Sequence, residues 1–305
     1  VKRYGKVNSS RWKERNMRCG IDLGGTKTEA VILDDTGEII WRTREATPAE
    51  NYDAILDTLE NLTHAADTHA GNAVDIGIGM PGSLSPKTGK IRNSNTQSLI
   101  GKPFREDMQN RLGREVRLAN DANCFALSEA HDGAGAGAHA VFGVILGTGC
   151  GGGLVIGGQL QVGTNGIGGE WGHNPLAAPR ADEMPGPPCY CGRSGCNEVW
   201  LSGTGLARDH YETTGEKRTA IEIAALETPE AKASIERLAD RLARALGAVI
   251  NLVDPDVIVL GGGLSNIDQL YTRVPELWAD YIFSDVINTR LLPNKHGDAS
   301  GVRGA

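Results

Sequence analysis

Three cysteines and a histidine stand at spacings that could hold a metal ion. Cys189, Cys191 and Cys196 lie within eight residues of one another, and His173 precedes Cys189 by sixteen. Three thiolates and one imidazole make up a closed tetrahedral set of the kind that structural zinc prefers. A disulfide would leave one of the three cysteines over. The spacing therefore predicts a zinc-binding loop, with His210 left open as an alternative fourth ligand.

Two carboxylates flank these ligands. Glu170 lies three residues before His173, in G-G-E-W-G-H, and Glu198 lies two residues after Cys196. If a metal ties the two segments together, both carboxylates are held near one site. Each carboxylate can accept hydrogen bonds from two hydroxyl groups, as a sugar would offer. The alternative is that both glutamates are solvated loop residues.

Two glycine-rich segments could bind phosphate. D-L-G-G-T-K-T offers Asp22, Gly24, Gly25, Thr26 and Lys27, and L-G-T-G-C-G-G-G offers Gly147, Thr148, Gly149 and Gly151. Glycine lets the backbone approach a ligand and direct N–H groups at phosphate oxygens. No Walker sequence is present, and either segment alone could be a tight turn. As a pair in equivalent positions, they indicate loops on both sides of a triphosphate.

Two further turns could contribute to the chemistry. G-G-G-L-S begins with Gly261, Gly262 and Gly263, after a buried strand and before a predicted helix, where N–H groups suit an anion or a nucleotide. The alternative is a plain strand-to-helix turn. N-D-A-N contains Asn120 and Asp121 at another strand-to-helix junction. There Asp121 is either a helix N-cap or a catalytic base.

The elements that must position these residues form two similar series. Strands are predicted over 18–23, 28–33 and 38–42, with glycine turns between them, and again over 141–146, 154–156 and 159–162. Helices are predicted over 48–69, 121–132 and 229–253, and further strands over 74–80, 115–119 and 257–260. The recurrence predicts an internally duplicated α/β protein with two lobes around a cleft. The predicted division is an N-terminal lobe over 17–120 and a C-terminal lobe over 121–305.

Composition and charge narrow the classes of function. The net charge is −7, and residues 1–16 carry six basic residues and one acid, which leaves −12 on the remainder. An acidic body argues against nucleic-acid binding. The sequence contains no apolar run of about 18 residues, so no membrane span is expected. Residues 1–16 are expected to be a disordered basic leader ahead of Met17, and the scattered cysteines fit a reduced, cytoplasmic setting.

Together these motifs resemble the ROK family of sugar kinases and repressors. The likeness rests on D-L-G-G-T-K-T, L-A-N-D-A-N, I-L-G-T-G-C-G-G-G, G-E-W-G-H, C-x-C-G-x-x-G-C-x-E and V-I-V-L-G-G-G, and it extends from Met17 to the end of the chain. It implies an actin-like (ribonuclease H-like) ATPase fold, often assembled as a homodimer. It also implies ATP, Mg²⁺ and structural zinc as cofactors and a small-molecule sugar as substrate.

The resemblance also implies roles for particular residues. Asp121 would be the general base that takes the proton of the attacking sugar hydroxyl. The sugar would be held by Asn120, Glu170, His173 and Glu198, with Gly82 and Asn95 lining the pocket. Residues 20–27 and 149–156 would hold the ATP phosphates, and Gly261–Gly263 would lie near adenosine. Zinc would be bound by His173, Cys189, Cys191 and Cys196.

Within the family, the chain looks most like the manno(fructo)kinase branch. This predicts phosphorylation of the 6-hydroxyl of fructose, with mannose or glucose as secondary substrates. The alternatives are glucose or N-acetylglucosamine as main substrate or, in a different class, a sugar-sensing transcriptional repressor. The few residues before Met17 are expected to be too short for the repressor's DNA-binding domain. The sequence departs from the family pattern at Asn197, a position usually apolar, and at Ala305, beyond which relatives continue into a final helix.

Overall fold

A computed structural model describes residues 17–305, so the predicted leader over 1–16 lies outside the described residues. The chain divides into two compact units. Of the described residues, the first unit contains 17–82, 89–119 and Ala305, and the second contains Ser83–Thr88 and Asn120–Gly304. Asn120, at which the sequence predicts the lobe boundary, opens the long segment of the second unit.

The first unit is built on a five-stranded sheet in the order β3-β2-β1-β4-β7. Its strands are β1 (Arg18–Leu23), β2 (Lys27–Leu33), β3 (Ile39–Ala46), β4 (Asp75–Met80) and β7 (Arg117–Asn120). Outside this sheet, the short β5 (Ser83–Leu84) belongs to the second unit and the short β6 (Ile91–Arg92) to the first. Helices α1 (Tyr52–Ala70) and α2 (Phe104–Leu112) accompany the sheet. The pairs β1–β2 and β2–β3 are antiparallel, and β1–β4 is parallel.

The second unit repeats this plan with the sheet order β10-β9-β8-β11-β12. Its strands are β8 (Ala140–Leu146), β9 (Cys150–Ile156), β10 (Gln159–Leu160), β11 (Val257–Gly261) and β12 (Arg290–Pro293). Its helices are α3 (Asp121–His131), α4 (Asn197–Leu201), α5 (Gly203–Thr214), α6 (Ala220–Ala225), α7 (Pro229–Val253), α8 (Gln269–Trp278) and α9 (Ser300–Gly304). The pairs β8–β9 and β9–β10 are antiparallel, whereas β8–β11 and β11–β12 are parallel.

The two sheets therefore share one strand order, third-second-first-fourth-fifth along the chain. This confirms the predicted α/β fold with a duplicated plan. Strands β4 and β11 are almost wholly buried along their length, as expected where helices cover both faces of a sheet.

The longest helix has the predicted limits because its end signals are strong. The Thr228 side chain accepts a hydrogen bond from the Ala231 amide, and Pro229 occupies the first turn of α7. Asp254 ends the helix in the left-handed conformation, with φ of 48°, directly before Pro255. The buried face of α7 joins the core of the second unit.

Several other limits differ from the prediction for local reasons. Helix α1 begins at Tyr52 and not at residue 48, because the Asn51 side chain caps it by accepting from the Ala54 amide. Strand β9 begins at Cys150, inside the glycine-rich segment, and β3 extends to Ala46. The helix expected directly after the third glycine turn is a short 3-10 turn, Gly263–Asn266, with α8 beginning three residues later.

An ion-pair network joins the segment between His173 and Cys189 to α7. The buried Glu183 carboxylate accepts two hydrogen bonds from Arg244, at 2.7 and 2.8 Å, and one from Arg241 at 2.9 Å. Arg241 also donates to Asp209 on α5 at 2.7 Å. Burial by itself would raise the pKa of Glu183, but the arginine hydrogen bonds outweigh it and lower that pKa to about 2.

Replacing Glu183 by Gln should lower the free energy of unfolding by about 3–5 kcal/mol, because it leaves two buried guanidinium groups under-compensated. In the native protein, the Glu183 contribution is complete above the pKa of an unfolded glutamate and is lost as the pH falls from about 5 towards 2. Denaturant unfolding as a function of pH measures both effects. Asp182→Asn, which changes an exposed residue of the same turn, is the control. Equal acid sensitivity in Glu183→Gln and wild type would contradict this account.

Candidate active site

The four predicted metal ligands come together in the second unit. One ligand atom from each of His173, Cys189, Cys191 and Cys196 lies within 4.8 Å of all the others. The Cys191 and Cys196 Sγ atoms are 3.6 Å apart, and Cys189 Sγ is 3.6 Å from His173 Nδ1. Tetrahedral zinc with Zn–S bonds of 2.3 Å needs Sγ atoms about 3.8 Å apart. The donor set and its spacing therefore fit a structural zinc ion.

Backbone pairing brings the ligands to one place. Residues 174–176 run beside 195–197, with the Leu176 amide donating to Gly195 and the Asn197 amide to Asn174. A tight hairpin over 187–195 presents Cys189 and Cys191 at its tip. The other histidine considered from the sequence, His210, is buried on α5 with its Nδ1 beside Ser234 Oγ at 3.0 Å. It does not belong to the cluster.

The polar residue at an expected apolar position has a defined role. The Asn197 side chain is buried and donates a 3.0 Å hydrogen bond to the Trp171 carbonyl oxygen. Trp171 in turn donates from Nε1 to the Gly151 carbonyl of β9 at 3.0 Å. This chain of contacts links the start of α4, the G-E-W-G-H turn and the glycine-rich strand.

Glu198 lies against the second glycine-rich loop. Its Oε2 atom accepts a hydrogen bond from the Cys150 amide at 3.1 Å. A Cβ atom on Gly149 would lie 2.6 Å from the same oxygen, so a glycine is needed there for the carboxylate to reach the strand. Glu198 is thereby fixed beside the Gly147–Gly149 turn, which closes through the Gly147 amide and the Gly149 carbonyl.

Asp121 is the first residue of α3 and lies close to the same strand. The Asn120 side chain caps the helix by accepting from the Ala122 amide at 3.0 Å, so the capping role belongs to Asn120. Asp121 Oδ1 also accepts from that amide at 2.8 Å. Burial and then the charge of Glu170 raise the pKa of Asp121. A carboxylate with a raised pKa is the more readily protonated, as a general base requires.

Helix α3 reaches this position because the facing strand has no side chains in its way. A Cβ atom on Gly153 would lie 2.8 Å from the Ala122 carbonyl and 2.8 Å from Ala126 Cβ. On Gly151, it would lie 3.1 Å from Ala122 Cβ. Gly151 and Gly153 therefore contribute to seating α3, whatever Gly151 adds to phosphate binding.

A cavity of about 670 Å³ lies beside the glycine turns of the second unit. Its volume falls in the usual range for sites that bind small molecules. Most of the lining is apolar, and Ile221, although 78% exposed, forms part of it. The lining residues are Leu146, Gly147, Thr148, Gly203, Thr204, Ala207, Thr219, Ala220, Ile221, Ala224, Gly263, Leu264, Asn266 and Ile267.

The third glycine turn packs against the second one. Gly262 has φ of 77°, and a Cβ atom there would lie 2.6 Å from the Leu146 carbonyl group. A Cβ atom on Gly261 would clash with the Phe125 ring, whereas a Cβ on Gly263 would meet nothing within 4 Å. Of the three predicted nucleotide-binding glycines, Gly263 alone lines the cavity, and the other two hold its wall in place.

The remaining predicted residues belong to the first unit. Asp22 is the last residue but one of β1, and Gly24, Gly25 and Thr26 form the turn into β2, where the Gly24 amide donates to the Lys27 carbonyl at 3.0 Å. Gly82 follows β4 with φ of 91°. Asn95 is exposed. The roles predicted for these residues stay predictions.

The sequence prediction missed two groups of residues near the site. One comprises Thr204, Thr219 and Ile221, which line the cavity from α5 and α6. Thr219 and Glu222 form a capping box, a sequence signal that predicts the start of α6 but not its place in the cavity wall. The other is Tyr190, whose hydroxyl lies 2.9 Å from His173 Nε2.

The chain is similar along its whole described length to enzymes that phosphorylate sugars. It is 39% identical to an N-acetyl-D-glucosamine kinase of Yersinia pseudotuberculosis, over 95% of this chain and 97% of that one. Among solved structures, a ROK hexokinase from Thermus thermophilus matches with a TM-score of 0.83 and 31% identity, over 94% of this chain and 96% of that one. A ROK glucokinase from Streptomyces griseus, in complex with glucose and AMPPNP, matches with a TM-score of 0.79 and 27% identity, over 94% and 97%.

These similarities and the doubled fold define an ATP-dependent sugar kinase. The model of the ROK family matches residues 18–305, and the chain belongs to that family. The predicted family and reaction class are therefore confirmed, as is the actin-like ATPase fold. Within the described residues, no helix is both long and apolar enough to cross a bilayer.

Gly262→Ala and Gly263→Ala should differ in stability, because Gly262 packs against Leu146 whereas Gly263 faces the open cavity. In Gly262→Ala, an alanine must adopt the left-handed conformation with its methyl group against the Leu146 carbonyl. This should lower the free energy of unfolding by at least about 1–3 kcal/mol. The second should leave stability within about 0.5 kcal/mol, because the added methyl meets open space. Thermal unfolding compares the two. Equal losses of stability in both variants would show that the turn is packed differently.

If the Cys₃His cluster binds zinc, removing the metal should disorder the two separate segments that carry His173 and Glu198. Chelation, or Cys191→Ser, should reduce kcat/KM for the sugar by more than tenfold while leaving most of the α/β fold intact. Metal content, circular dichroism and turnover measure the three effects. Ser194→Ala, which changes an exposed residue of the same hairpin, should retain metal and activity. A fully active protein from which zinc has been removed would refute a structural role for the metal.

Proposed function

We propose that this sugar kinase acts on N-acetyl-D-glucosamine and transfers the γ-phosphate of ATP to its 6-hydroxyl group. The observation that carries the proposal is the 39% identity to an N-acetyl-D-glucosamine kinase over 95% of the chain. Fructose, the substrate favoured from sequence, has less support, because the similarity favours the alternative named beside it. The hexokinase and glucokinase structures support glucose as a secondary substrate.

In this proposal, Asp121 accepts the proton of the attacking hydroxyl. Its place at the start of α3 and its raised pKa support the role, since a base must hold that proton while phosphate is transferred. Asn120 is the N-cap of α3, so its side chain is already held beside the base. Removing the proton from the sugar hydroxyl contributes less to the rate than aligning that hydroxyl with the γ-phosphate. Phosphoryl transfer relies mainly on positioning and charge stabilisation.

Glu170, Glu198 and His173 are proposed to hold the sugar. Glu198 has one carboxylate oxygen on the Cys150 amide and so is oriented before any ligand arrives. Glu170 lies close enough to Asp121 to affect its pKa. Zinc, when bound by His173 and the three cysteines, would keep both segments at one site and supply no further chemistry.

ATP is proposed to bind with its adenosine in the cavity beside Gly263 and its phosphates at the Gly147–Gly149 turn. The largely apolar lining and the volume of about 670 Å³ support a nucleoside. Asp22 and Lys27, beside the glycine turn of the first unit, are proposed to bind Mg²⁺ and phosphate. Mg²⁺ would offset the charge that develops on the transferred phosphate.

Substrate preference is tested by ADP release with MgATP and N-acetyl-D-glucosamine, glucose, mannose or fructose. N-acetyl-D-glucosamine should give a kcat/KM at least about tenfold above that for fructose, because a site shaped for one additional group rejects ligands that leave its partners unpaired. A preference for fructose would overturn the substrate and restore the first prediction. Turnover with none of the four sugars, from zinc-loaded protein, would overturn the proposed reaction.

Asp121→Asn should lower kcat by about 10²–10⁴-fold and change the sugar's KM little, because the amide can align the hydroxyl but cannot accept its proton. In wild type, kcat/KM should fall as the pH drops through the Asp121 pKa, at a higher pH than an ordinary aspartate would give. Glu170→Gln removes a repelling charge and should move that fall to lower pH. Asp280→Asn, at an exposed position, is the control. Normal turnover by Asp121→Asn would exclude Asp121 as the base.

A further inference from the structure

Tyr190 stands between two metal ligands, yet its side chain is 72% exposed. Its hydroxyl lies 2.9 Å from His173 Nε2, and the two rings meet edge to face with centroids 5.1 Å apart. Glu198 and Glu170 both act electrostatically on this hydroxyl. The tyrosine hydroxyl therefore contacts one residue to which sugar binding has been assigned, His173, and lies within electrostatic reach of the other two.

The hydrogen bond between His173 and Tyr190 has a defined direction once metal is bound. His173 Nδ1 faces the thiolates, 3.6 Å from Cys189 Sγ, so it supplies the lone pair to the metal. The ring proton then resides on Nε2, and the Tyr190 oxygen accepts it. Second nitrogens of metal-bound histidines usually have such a partner, which fixes the ring.

A sugar that uses His173 must compete for this one proton. The metal occupies Nδ1, so Nε2–H is the polar group that the ring has left to offer a sugar oxygen. We propose that Tyr190 is a displaceable positioning residue, which occupies His173 in the free enzyme and gives way to a sugar hydroxyl. This inference rests on the proposed function, since it takes His173 as a sugar ligand.

The exposure of Tyr190 makes displacement feasible. A side chain with most of its surface in solvent can change rotamer without opening a packed core. The metal holds His173 independently, so the ring should keep its orientation when the tyrosine leaves. In wild type, sugar binding must then break the hydrogen bond between His173 and Tyr190. The variant Tyr190→Phe lacks that bond and should bind the sugar more tightly.

The test is sugar binding and turnover by Tyr190→Phe in the zinc-loaded, full-length chain. Titration calorimetry with N-acetyl-D-glucosamine, in the absence of nucleotide, should give a Kd about 2- to 10-fold lower than that of wild type. The sugar's KM should fall by a similar factor, with the KM for ATP and the zinc content unchanged. Tyr211→Phe, which changes a half-exposed tyrosine on α5, should match wild type in every measurement.

Each alternative outcome has a distinct meaning. A weaker sugar affinity in Tyr190→Phe would overturn the inference, because the hydroxyl would then contribute to binding. An unchanged affinity, or loss of zinc, would overturn it as well, the latter by giving Tyr190 a purely structural role. If wild type binds none of the four sugars, the proposed function fails first. If wild type binds the sugar and Tyr190→Phe binds it with the same affinity, this inference fails but the proposed function stands.

Discussion

The second unit depends on the close approach of α3, the Glu198 side chain and the G-E-W-G-H turn to one glycine-rich strand. Gly149 leaves room for the Glu198 carboxylate, and Gly153 leaves room for the backbone of α3. The Gly151 carbonyl accepts the Trp171 indole proton. Three separate segments are thus brought to one strand because it has no side chains on the faces that they use. A single Cβ atom at either glycine would move a functional group.

Charge at the site is organised by two different means. Asp121 is held by the amides at the start of α3, in surroundings that raise its pKa and beside the repelling charge of Glu170. Glu183, in contrast, is neutralised by Arg241 and Arg244 in the interior, which lowers its pKa. The first arrangement favours proton acceptance. The second keeps Glu183 ionised at neutral pH and ties the segment between His173 and Cys189 to α7.

The Cys₃His cluster and the cavity are built from different elements of the second unit. Backbone pairing between residues 174–176 and 195–197 brings His173 to the cysteines, and the same pairing sets the start of α4. The cavity is formed instead by α5, α6 and the turn at Gly263. The Cys₃His cluster and the cavity therefore rest on separate elements, while Glu198 and the cavity both adjoin the Gly147–Gly149 turn. A variant in one support should leave the other largely intact.

The sequence by itself determined the fold class and the groups capable of chemistry. The repeated strand-and-turn series predicted the doubled sheet, because strand periodicity and glycine turns are local properties. The Asp254-Pro255 pair predicted an end of α7 near Val253, and the structure confirms it. The spacing of three cysteines after His173 predicted the metal cluster, since ligand chemistry restricts the choices.

Only the tertiary structure decided which distant residues share a site. The choice of His173 over His210 depended on backbone pairing, and the apolar cavity depended on how α5 and α6 pack together with the turn at Gly263. The capping role of Asn120 and the support role of Gly261 and Gly262 likewise follow from contacts. Tyr190 carried no signal in the sequence, because its role arises from one hydrogen bond to a residue seventeen positions away. Such contacts follow from three-dimensional packing, which local spacing does not encode.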